Sequence, residues 1–151
     1  MFTPKEILVP TDFSECSERA LQQAVELAEQ FDSKIHLVHI TTQDADHMPM
    51  FFLDDEKLDE VKKHLEDYNK SLMATKVDKY LAGKDVLYEI HERVGTPYDE
   101  ILKLSEELAV DLIVISSKGK NALEGFLFGS TTEKVVRKAK CSVFVVRKVL
   151  Q

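Results

Sequence analysis

Short apolar runs alternate along this chain with longer segments in which apolar residues recur every three or four positions. The runs are rich in Ile, Leu and Val, which is typical of strands buried in a parallel sheet. The first run stops at Pro10, because proline has no backbone N–H to donate to a neighbouring strand. The five predicted strands lie at residues 5–9, 35–40, 86–90, 112–115 and 142–147.

The intervening segments have the periodicity of helices with one buried face. Ser14 is suited to cap the first helix, Gly83 to follow the second, and the Thr96-Pro97 pair to begin the third. Ser130, with Glu133 three residues later, matches the capping box of a fourth helix. The apolar residues at helical spacing are Ala20, Leu21, Ala24, Val25, Leu27, Ala28 and Phe31 in the first helix and Leu58, Val61, Leu65, Tyr68 and Leu72 in the second. The third helix is expected to bury Ile101, Leu102, Leu104 and Leu108, and the fourth contains Val135, Val136 and Ala139.

Strands that alternate with helices in this way indicate an α/β fold. Right-handed crossovers between successive parallel strands place helices on both faces of the sheet. We therefore predict an open five-stranded parallel sheet of the Rossmann-like type, with strand order 3-2-1-4-5. A chain of 151 residues suits one compact domain, and the sequence has no internal repeat, low-complexity tract or linker. Residues 1–151 are assigned to a single domain.

Composition and charge narrow the class of protein. The chain carries 20 basic and 27 acidic side chains, for a net charge of −7. Nucleic acid is disfavoured as the principal partner, because that binding needs clustered Lys and Arg. The apolar runs are far shorter than the ~20 residues of a membrane-spanning helix, so no membrane association is expected.

The amino terminus and the cysteines bear on location. The first residues lack the basic and apolar regions of a secretory signal, and a cytoplasmic location is expected. Cys16 and Cys141 are too few for a disulfide framework in a chain of this length. They are expected to be reduced thiols, with one or both buried.

Candidate binding residues follow the first and fourth predicted strands. In an open parallel sheet, ligands bind beyond the carboxyl ends of the strands, where the strand order reverses. The segments expected to meet there are residues 10–14, 116–119 and 129–132. Asp12 is suited to accept hydrogen bonds from a ribose hydroxyl, or to bind a metal. Alternatively, its carboxylate caps the first helix beside Ser14.

The segment around Gly129 is suited to bind phosphate. Glycine permits close approach to the backbone, and the first amides of a helix have no intrahelical acceptor. The hydroxyls of residues 130–132 add donors, while Lys118 and Lys120 add positive charge. The alternative is that Ser130 and Glu133 serve only to cap the helix.

Several separated segments resemble the universal stress protein family. Ile7-Leu8-Val9-Pro10-Thr11-Asp12-Phe13-Ser14 is similar to the opening of these proteins, and Gly95-Thr96-Pro97 to the turn before their third helix. Gly119, nine further residues and then Gly129-Ser130 are similar to the latter part of the family's nucleotide motif. That motif is Gly, two residues, Gly, nine residues, Gly, then Ser or Thr. The similarity extends to Cys141-Ser142-Val143-Phe144-Val145-Val146-Arg147, and so covers nearly the whole chain.

This resemblance implies an ATP site, with Mg²⁺ or Mn²⁺ recruited through the phosphates of the nucleotide. It implies that Asp12 faces the ribose or the adenine and that Ile40 lies near the base. Gly119 and Gly129 are then expected to lie around the phosphates. The implied ATP-binding residues are Pro10, Thr11, Asp12, Ile40, Ser116, Ser117, Lys118, Gly119, Lys120, Gly129, Ser130, Thr131 and Thr132.

One position departs from the family pattern, because Ser116 stands where the first glycine of the motif is expected. If that position requires a left-handed backbone, a serine costs ~1–2 kcal/mol there. A tenfold loss of affinity corresponds to about 1.4 kcal/mol, so binding is expected to weaken without disappearing. Alternatively, the Ser116 hydroxyl contacts the nucleotide itself.

Other nucleotide-binding and phosphoryl-transfer motifs do not fit the sequence. Gly119-Lys120 is followed by Asn121, so the chain lacks a phosphate loop of the Gly-x-x-x-x-Gly-Lys-Ser/Thr kind, and no Gly-x-Gly-x-x-Gly follows the first strand. The third strand ends Arg93-Val94-Gly95 and lacks the clustered carboxylates of a response-regulator receiver.

The positions of the histidines in the sequence give little evidence of a metal site. His36 and His39 lie three residues apart on a strand, so their side chains are expected on opposite faces. His47 lies near Asp44 and Asp46 in a loop, which by ligand type is only a loose cluster. Core or surface roles are expected for the strand histidines.

The function implied by the resemblance is that of an ATP-binding module or switch in the stress response. At most slow hydrolysis is expected, because no general base or arginine finger is visible. The alternative is a member of the family that does not bind nucleotide and acts as a dimeric interaction protein. The last strand, from Val143 to Val149, leaves an apolar edge, and in the family it pairs with its twin, which implies a homodimer. The sequence does not identify a further protein partner.

Two apolar loop segments are further candidates for contacts. Met48 to Leu53 is an apolar run inside an acidic loop. It is suited to be a lid or a partner surface, or alternatively a lead-in that packs beside the long helix. Leu123, Phe126, Leu127 and Phe128 are expected to form either a pocket wall or a contact surface.

Overall fold

The structure is a computed structural model in which residues 1–42, 53–119 and 128–147 are described. Five strands and four helices alternate along these residues. The strands are β1 (Glu6–Thr11), β2 (Lys34–Thr41), β3 (Tyr88–Val94), β4 (Leu112–Ser116) and β5 (Ser142–Val146). The helices are α1 (Glu15–Phe31), α2 (Asp55–Tyr80), α3 (Pro97–Glu107) and α4 (Ser130–Lys138).

The strands form one parallel sheet in the order β3-β2-β1-β4-β5. Helices α1 and α2 cover one face, where Ile7 and Leu37 are among the buried strand residues. Helices α3 and α4 cover the other face, over Leu8 and Val38. The predicted Rossmann-like sheet, its strand order and its two helical layers are confirmed.

Strand β1 extends past the predicted stop at Pro10 and ends at Thr11. Pro10 lies opposite Val38 of β2, whereas β4 pairs with β1 at Ile7 and Leu8. The missing N–H of Pro10 is tolerated because β1 and β4 have separated at this point. This separation lies where the strand order reverses, and it opens the sheet edge for a ligand.

Helix α1 has the predicted cap and the predicted buried face. The Ser14 side chain accepts a hydrogen bond from the Ser17 N–H at 3.2 Å. The buried stripe of the helix includes Ala20, Leu21 and Ala24. Burial of this stripe against the centre of the sheet fixes the turn between β1 and α1.

The predicted apolar face of α2 is buried only near the end of the helix. Met73 and Val77 are buried, whereas Leu65 and Tyr68 are 41% and 62% exposed. The three-four spacing of Leu65 and Tyr68 therefore belongs to a part of α2 whose apolar side chains are exposed. Helical periodicity identifies an apolar face but does not show whether another element covers it.

Strands β3 and β5 are the two edges of the sheet. Among their apolar residues, Ile90 and Phe144 are each 41% exposed. Cys16 and Cys141 are free thiols, and both are half-buried rather than fully buried. Among the helices of the described residues, none is long and apolar enough to cross a membrane.

Candidate functional site

The turn between β1 and α1 holds the Asp12 carboxylate in one orientation. Asp12 Oδ1 accepts a hydrogen bond from the Ser14 N–H at 3.0 Å. Thr11 Oγ1 accepts one from the Phe13 N–H at 3.1 Å, and Phe13 has a left-handed backbone with a φ of 64°. Ser14 caps α1, so Asp12 supports the cap residue instead of capping the helix directly.

The loop after β4 lies against this carboxylate. A Cβ built on Gly119 would lie 2.9 Å from Asp12 Oδ2, which is closer than real Cβ atoms approach such an oxygen. The Gly129 N–H donates to the Ser117 carbonyl oxygen at 2.7 Å. The two motif glycines and Asp12 therefore form one continuous surface.

Helix α4 begins at the same place without a side-chain cap. Its N-cap is Gly129, and no side-chain hydrogen bond caps its first turn. The predicted capping role of Ser130 is wrong, because Gly129 supplies the extended cap conformation and Ser130 is the first helical residue. The opening amides of α4 thus have no intrahelical acceptors and give this end of the helix a partial positive charge.

Ser116 takes the first motif position in ordinary strand conformation. It is the last residue of β4 and pairs with Val146 of β5. Its hydroxyl donates to the Lys118 carbonyl oxygen at 3.1 Å, and its own carbonyl oxygen accepts from Thr132 Oγ1 at 2.7 Å. The steric cost of a left-handed serine therefore does not apply here.

These segments enclose a cleft of about 540 Å³. Small-molecule sites commonly measure roughly 300–1,000 Å³. Its lining includes apolar side chains, among them Ile40, Ile101 and Ile115. The lining also includes the hydroxyls that open α4. The arrangement suits a ligand with a flat apolar end and an anionic end.

Ten of the thirteen predicted site residues line this cleft. Ser117 does not line it: Ser117 is buried, and its N–H donates to Val146 O at 2.9 Å, which ties β4 to β5. Lys118 is half-buried and also does not line the cleft. Lys120 lies outside the described residues. The residues brought together are Pro10, Thr11, Asp12, Ile40, Ser116, Gly119, Gly129, Ser130, Thr131 and Thr132.

Sequence reasoning missed several lining residues. Thr42 follows β2 and Pro97 begins α3 just after β3, so both lie beyond the carboxyl ends of strands. The strand-end rule would have found them if it had been applied to every strand. Ser17, Ile101, Ile115 and Glu133 complete the missed set.

Of the apolar loop residues that were candidates for contacts, Phe128 lies within the described residues and most of the others do not. Phe128 lines the cleft and is 38% exposed, as expected of a pocket wall. Leu123, Phe126 and Leu127 lie outside the described residues, and so do residues 48–52 and the Asp44, Asp46 and His47 cluster.

Comparisons with known proteins give a consistent result. A model of the universal stress protein family matches residues 3–147. Universal stress protein MJ0531 of Methanocaldococcus jannaschii is 32% identical over 144 residues, covering 95% of this chain and 82% of the relative. Universal stress protein MJ0577 of the same organism is 32% identical over 157 residues, covering 95% of each chain.

Solved structures have the same architecture. The structure of MJ0577 superposes with a TM-score of 0.85 at 30% identity, covering 99% of this chain and 100% of the other. A universal stress protein in complex with cAMP superposes with a TM-score of 0.69, covering 97% of this chain and 98% of the other. At 22% identity, that second likeness shows the fold alone.

Proposed function

The chain belongs to the universal stress protein family, and from this premise we propose that its cleft binds ATP and that it acts as a nucleotide-dependent module or switch in the stress response. The observation that carries the proposal is the meeting of Asp12, Gly119 and the start of α4 around one cleft. A universal stress protein with this fold has been solved in complex with cAMP, so the fold itself can hold an adenine nucleotide.

The apolar wall is suited to the adenine base. Its residues come from both sides of the point where the strands separate, and they are Ile40, Pro97, Ile101 and Ile115. Apolar side chains there exclude water from a flat ring and stabilise it by burial. Asp12 lines the same cleft, and its carboxylate can accept hydrogen bonds from ribose hydroxyls.

The start of α4 is suited to the phosphates. Its opening amides and its dipole favour an anion, and Ser130 and Thr131 add hydroxyl donors. Among the described residues that line the cleft, none is Lys, Arg or His. We therefore expect part of the phosphate charge to be met by Mg²⁺ or Mn²⁺ that the nucleotide itself carries.

The same lining argues for slow hydrolysis at most. Fast phosphoryl transfer uses a positioned base and an arginine or lysine on the transferring group. The described lining residues include two carboxylates, Asp12 and Glu133, and Asp12 is already hydrogen-bonded to the Ser14 N–H. A binding role, in which the bound state rather than turnover carries the signal, fits these groups best.

Calorimetric titration with ATP, with and without Mg²⁺, tests the proposal. We expect saturable binding that strengthens with Mg²⁺, and weaker binding of UTP because a pyrimidine fills the apolar wall less completely. Phosphate release measured under the same conditions should be slow. A flat calorimetric trace at high protein concentration would contradict ATP binding, and fast multiple turnover would contradict a switch.

A second candidate is a dimeric interaction protein, with or without nucleotide. The observation that favours it is the edge position of β5, where Phe144 is 41% exposed. An apolar edge strand is prone to pair with another strand. Light scattering after size exclusion should give about twice the 17.2 kDa chain mass, and Phe144→Glu should shift the protein to a monomer. A native species of single-chain mass would contradict the dimer.

A further inference from the structure

Three potential metal ligands meet on the sheet, away from the cleft. His36 of β2 lies opposite Glu89 of β3, and His91 lies two residues further along β3 on the same face. His36 and His91 ring nitrogens and a Glu89 carboxylate oxygen all lie within 4.8 Å of one another. Ile40, which lines the cleft, is four residues beyond His36, roughly 13 Å along the strand.

The neighbouring strand fixes the orientation of His36. The His36 Nε2 atom lies 2.6 Å from Glu6 Oε2, and the His36 side chain is only 3% exposed. A carboxylate only accepts hydrogen bonds, so Nε2 carries a proton, and in the tautomer that can bind a metal the lone pair is on Nδ1. That lone pair is directed at His91, whose Nε2 lies 3.0 Å away. Carboxylate–histidine pairs of this kind orient metal-bound imidazoles.

We propose that His36, Glu89 and His91 bind Zn²⁺, with Glu6 holding His36 in the tautomer that ligates. Two imidazoles and a carboxylate are donors that zinc takes in proteins, with a fourth position left for water. The site is independent of the proposed ATP cleft.

The spacing of the ligands is compatible with one ion. Zinc binds imidazole nitrogen at roughly 2.0–2.1 Å, so two nitrogens that lie 3.0 Å apart in a hydrogen bond can share it once the His91 ring turns and both lone pairs face the ion. The Glu89 carboxylate lies 3.9 Å from His36 Nδ1 and is 50% exposed, which leaves room for it to adjust and gives the ion a path from solvent. His91 is half-buried beside it.

Without an ion, the same groups are satisfied by hydrogen bonds. The His91 Nε2–H then donates to His36 Nδ1, and Lys34 Nζ pairs with Glu89 Oε2 at 3.0 Å. Zinc binding needs the His91 proton to move to its other ring nitrogen and must compete with Lys34 for Glu89.

Such an ion would connect three strands. Glu6 is in β1, His36 in β2, and Glu89 and His91 in the edge strand β3. A ligand that binds the folded state but not the unfolded chain raises apparent stability. Zinc is therefore expected to raise the melting temperature as well as to bind.

The test uses the full chain without an affinity tag, stripped of metal by a chelator and titrated with ZnCl₂ in a calorimeter. The wild type should bind one Zn²⁺ per chain. His91→Gln should weaken binding at least tenfold, and Glu6→Gln, which leaves all three ligands in place, should weaken it by roughly 10–100-fold. Circular dichroism establishes that each variant is folded, and His91→Gln is preferred because the buried His36 is harder to replace.

Two control variants retain the three ligands. His64→Gln removes an exposed histidine of α2, and His47→Gln removes a histidine that lies near Asp44 and Asp46 in the sequence, outside the described residues. Both should bind zinc as the wild type does. Cobalt substitution gives a second readout, since Co²⁺ bound to nitrogen and oxygen ligands should show visible absorption that His91→Gln abolishes. Two results would overturn the assignment. One is zinc binding that is unchanged in the folded His91→Gln variant. The other is a wild type that binds no zinc at 100-fold excess of the metal over roughly micromolar protein.

Discussion

The Asp12 carboxylate and the backbone of Gly119 are in direct contact, so closely that a single added carbon at Gly119 would lie 2.9 Å from Asp12 Oδ2. The two residues lie far apart along the chain, after β1 and after β4. Their contact joins the part of the cleft suited to ribose with the part suited to phosphate. The two glycines of the motif are not equivalent in this respect, because a Cβ on Gly129 would meet its nearest atom, Gly119 N, at an ordinary 3.5 Å.

Gly119→Ala is therefore expected to weaken ATP binding at least tenfold, a change of about 1.4 kcal/mol. The new methyl group forces the Asp12 carboxylate to rotate away from its hydrogen bond with the Ser14 N–H. Gly129→Ala is the matched control and should change affinity far less, because space for a Cβ exists there. Calorimetry on both variants checks this, and equal effects would contradict the distinction between the two glycines.

Asp12→Asn should also weaken ATP binding while leaving the fold intact. The amide oxygen can still accept from the Ser14 N–H, but the charge that strengthens hydrogen bonds to ribose is lost. Hydrogen bonds to charged groups contribute roughly 1.5–3 kcal/mol, so a loss of tenfold or more is expected. Asp32→Asn is the control, because Asp32 ends α1 in a left-handed conformation that asparagine tolerates. Unchanged affinity in Asp12→Asn would show that the carboxylate does not contact the ligand.

Thr132→Val should lower stability more than ATP affinity. Thr132 is 3% exposed, and its Oγ1 donates to the Ser116 carbonyl oxygen at 2.7 Å. Removing the donor leaves a buried carbonyl unsatisfied, at a cost of about 1–3 kcal/mol in the free energy of unfolding. Thr131 is the half-buried neighbour and lines the cleft, so Thr131→Val should lower ATP affinity more than stability. Urea unfolding and calorimetry measure the two quantities, and similar stability losses in both variants would count against this assignment.

The Cys141 thiol is expected to react slowly at neutral pH. Burial raises its pKa above the ordinary value of 9.0, and the thiolate is the reactive form. In a Cys16→Ser variant, alkylation by iodoacetamide should reach half its maximal rate above pH 9.0. When the same variant is unfolded in urea, alkylation should reach half its maximal rate at about pH 9.0, the ordinary pKa of the thiol.

The sign of the accompanying stability effect follows from that shift. Because the pKa of Cys141 is higher in the folded state, its contribution to stability is present below pH 9.0 and is lost as the pH rises through the folded pKa. An alkylation midpoint at or below 9.0 in the folded protein would contradict the role given to burial.

The sequence predicted most where one local pattern was strong. Residues 112–115 are continuously apolar and form β4, and the stripe of α1 is buried where expected. The spacing in α2 predicted the helix but not the exposure of Leu65 and Tyr68, since burial depends on which element packs above. The Ser130 cap was wrong because two adjacent residues, Gly129 and Ser130, are both acceptable caps and local sequence does not choose between them.

For the site, too, local patterns predicted some residues and missed those whose position depends on packing. Asp12 and Gly119 were found because both follow strands, whereas Ile101 was missed because it reaches the cleft from α3. The prediction that His36 and His39 face opposite ways agrees with their partners, since His39 packs on Phe13 and His36 bonds to His91. The His36–His91 pair itself depends on the register between β2 and β3, which no local pattern specifies.

The position of β1 has a consequence for synthesis of the protein. Strand β1 lies at the centre of the sheet, and β2 follows it closely along the chain, whereas β4, which pairs with it at Ile7 and Leu112, comes about a hundred residues later. Until β4 is synthesised, one side of β1 has no strand partner, and an apolar strand edge of this kind is prone to associate with other chains. A ligand of the cleft therefore cannot assist the folding of β1 and β2, because the cleft also needs α4, which begins at Ser130.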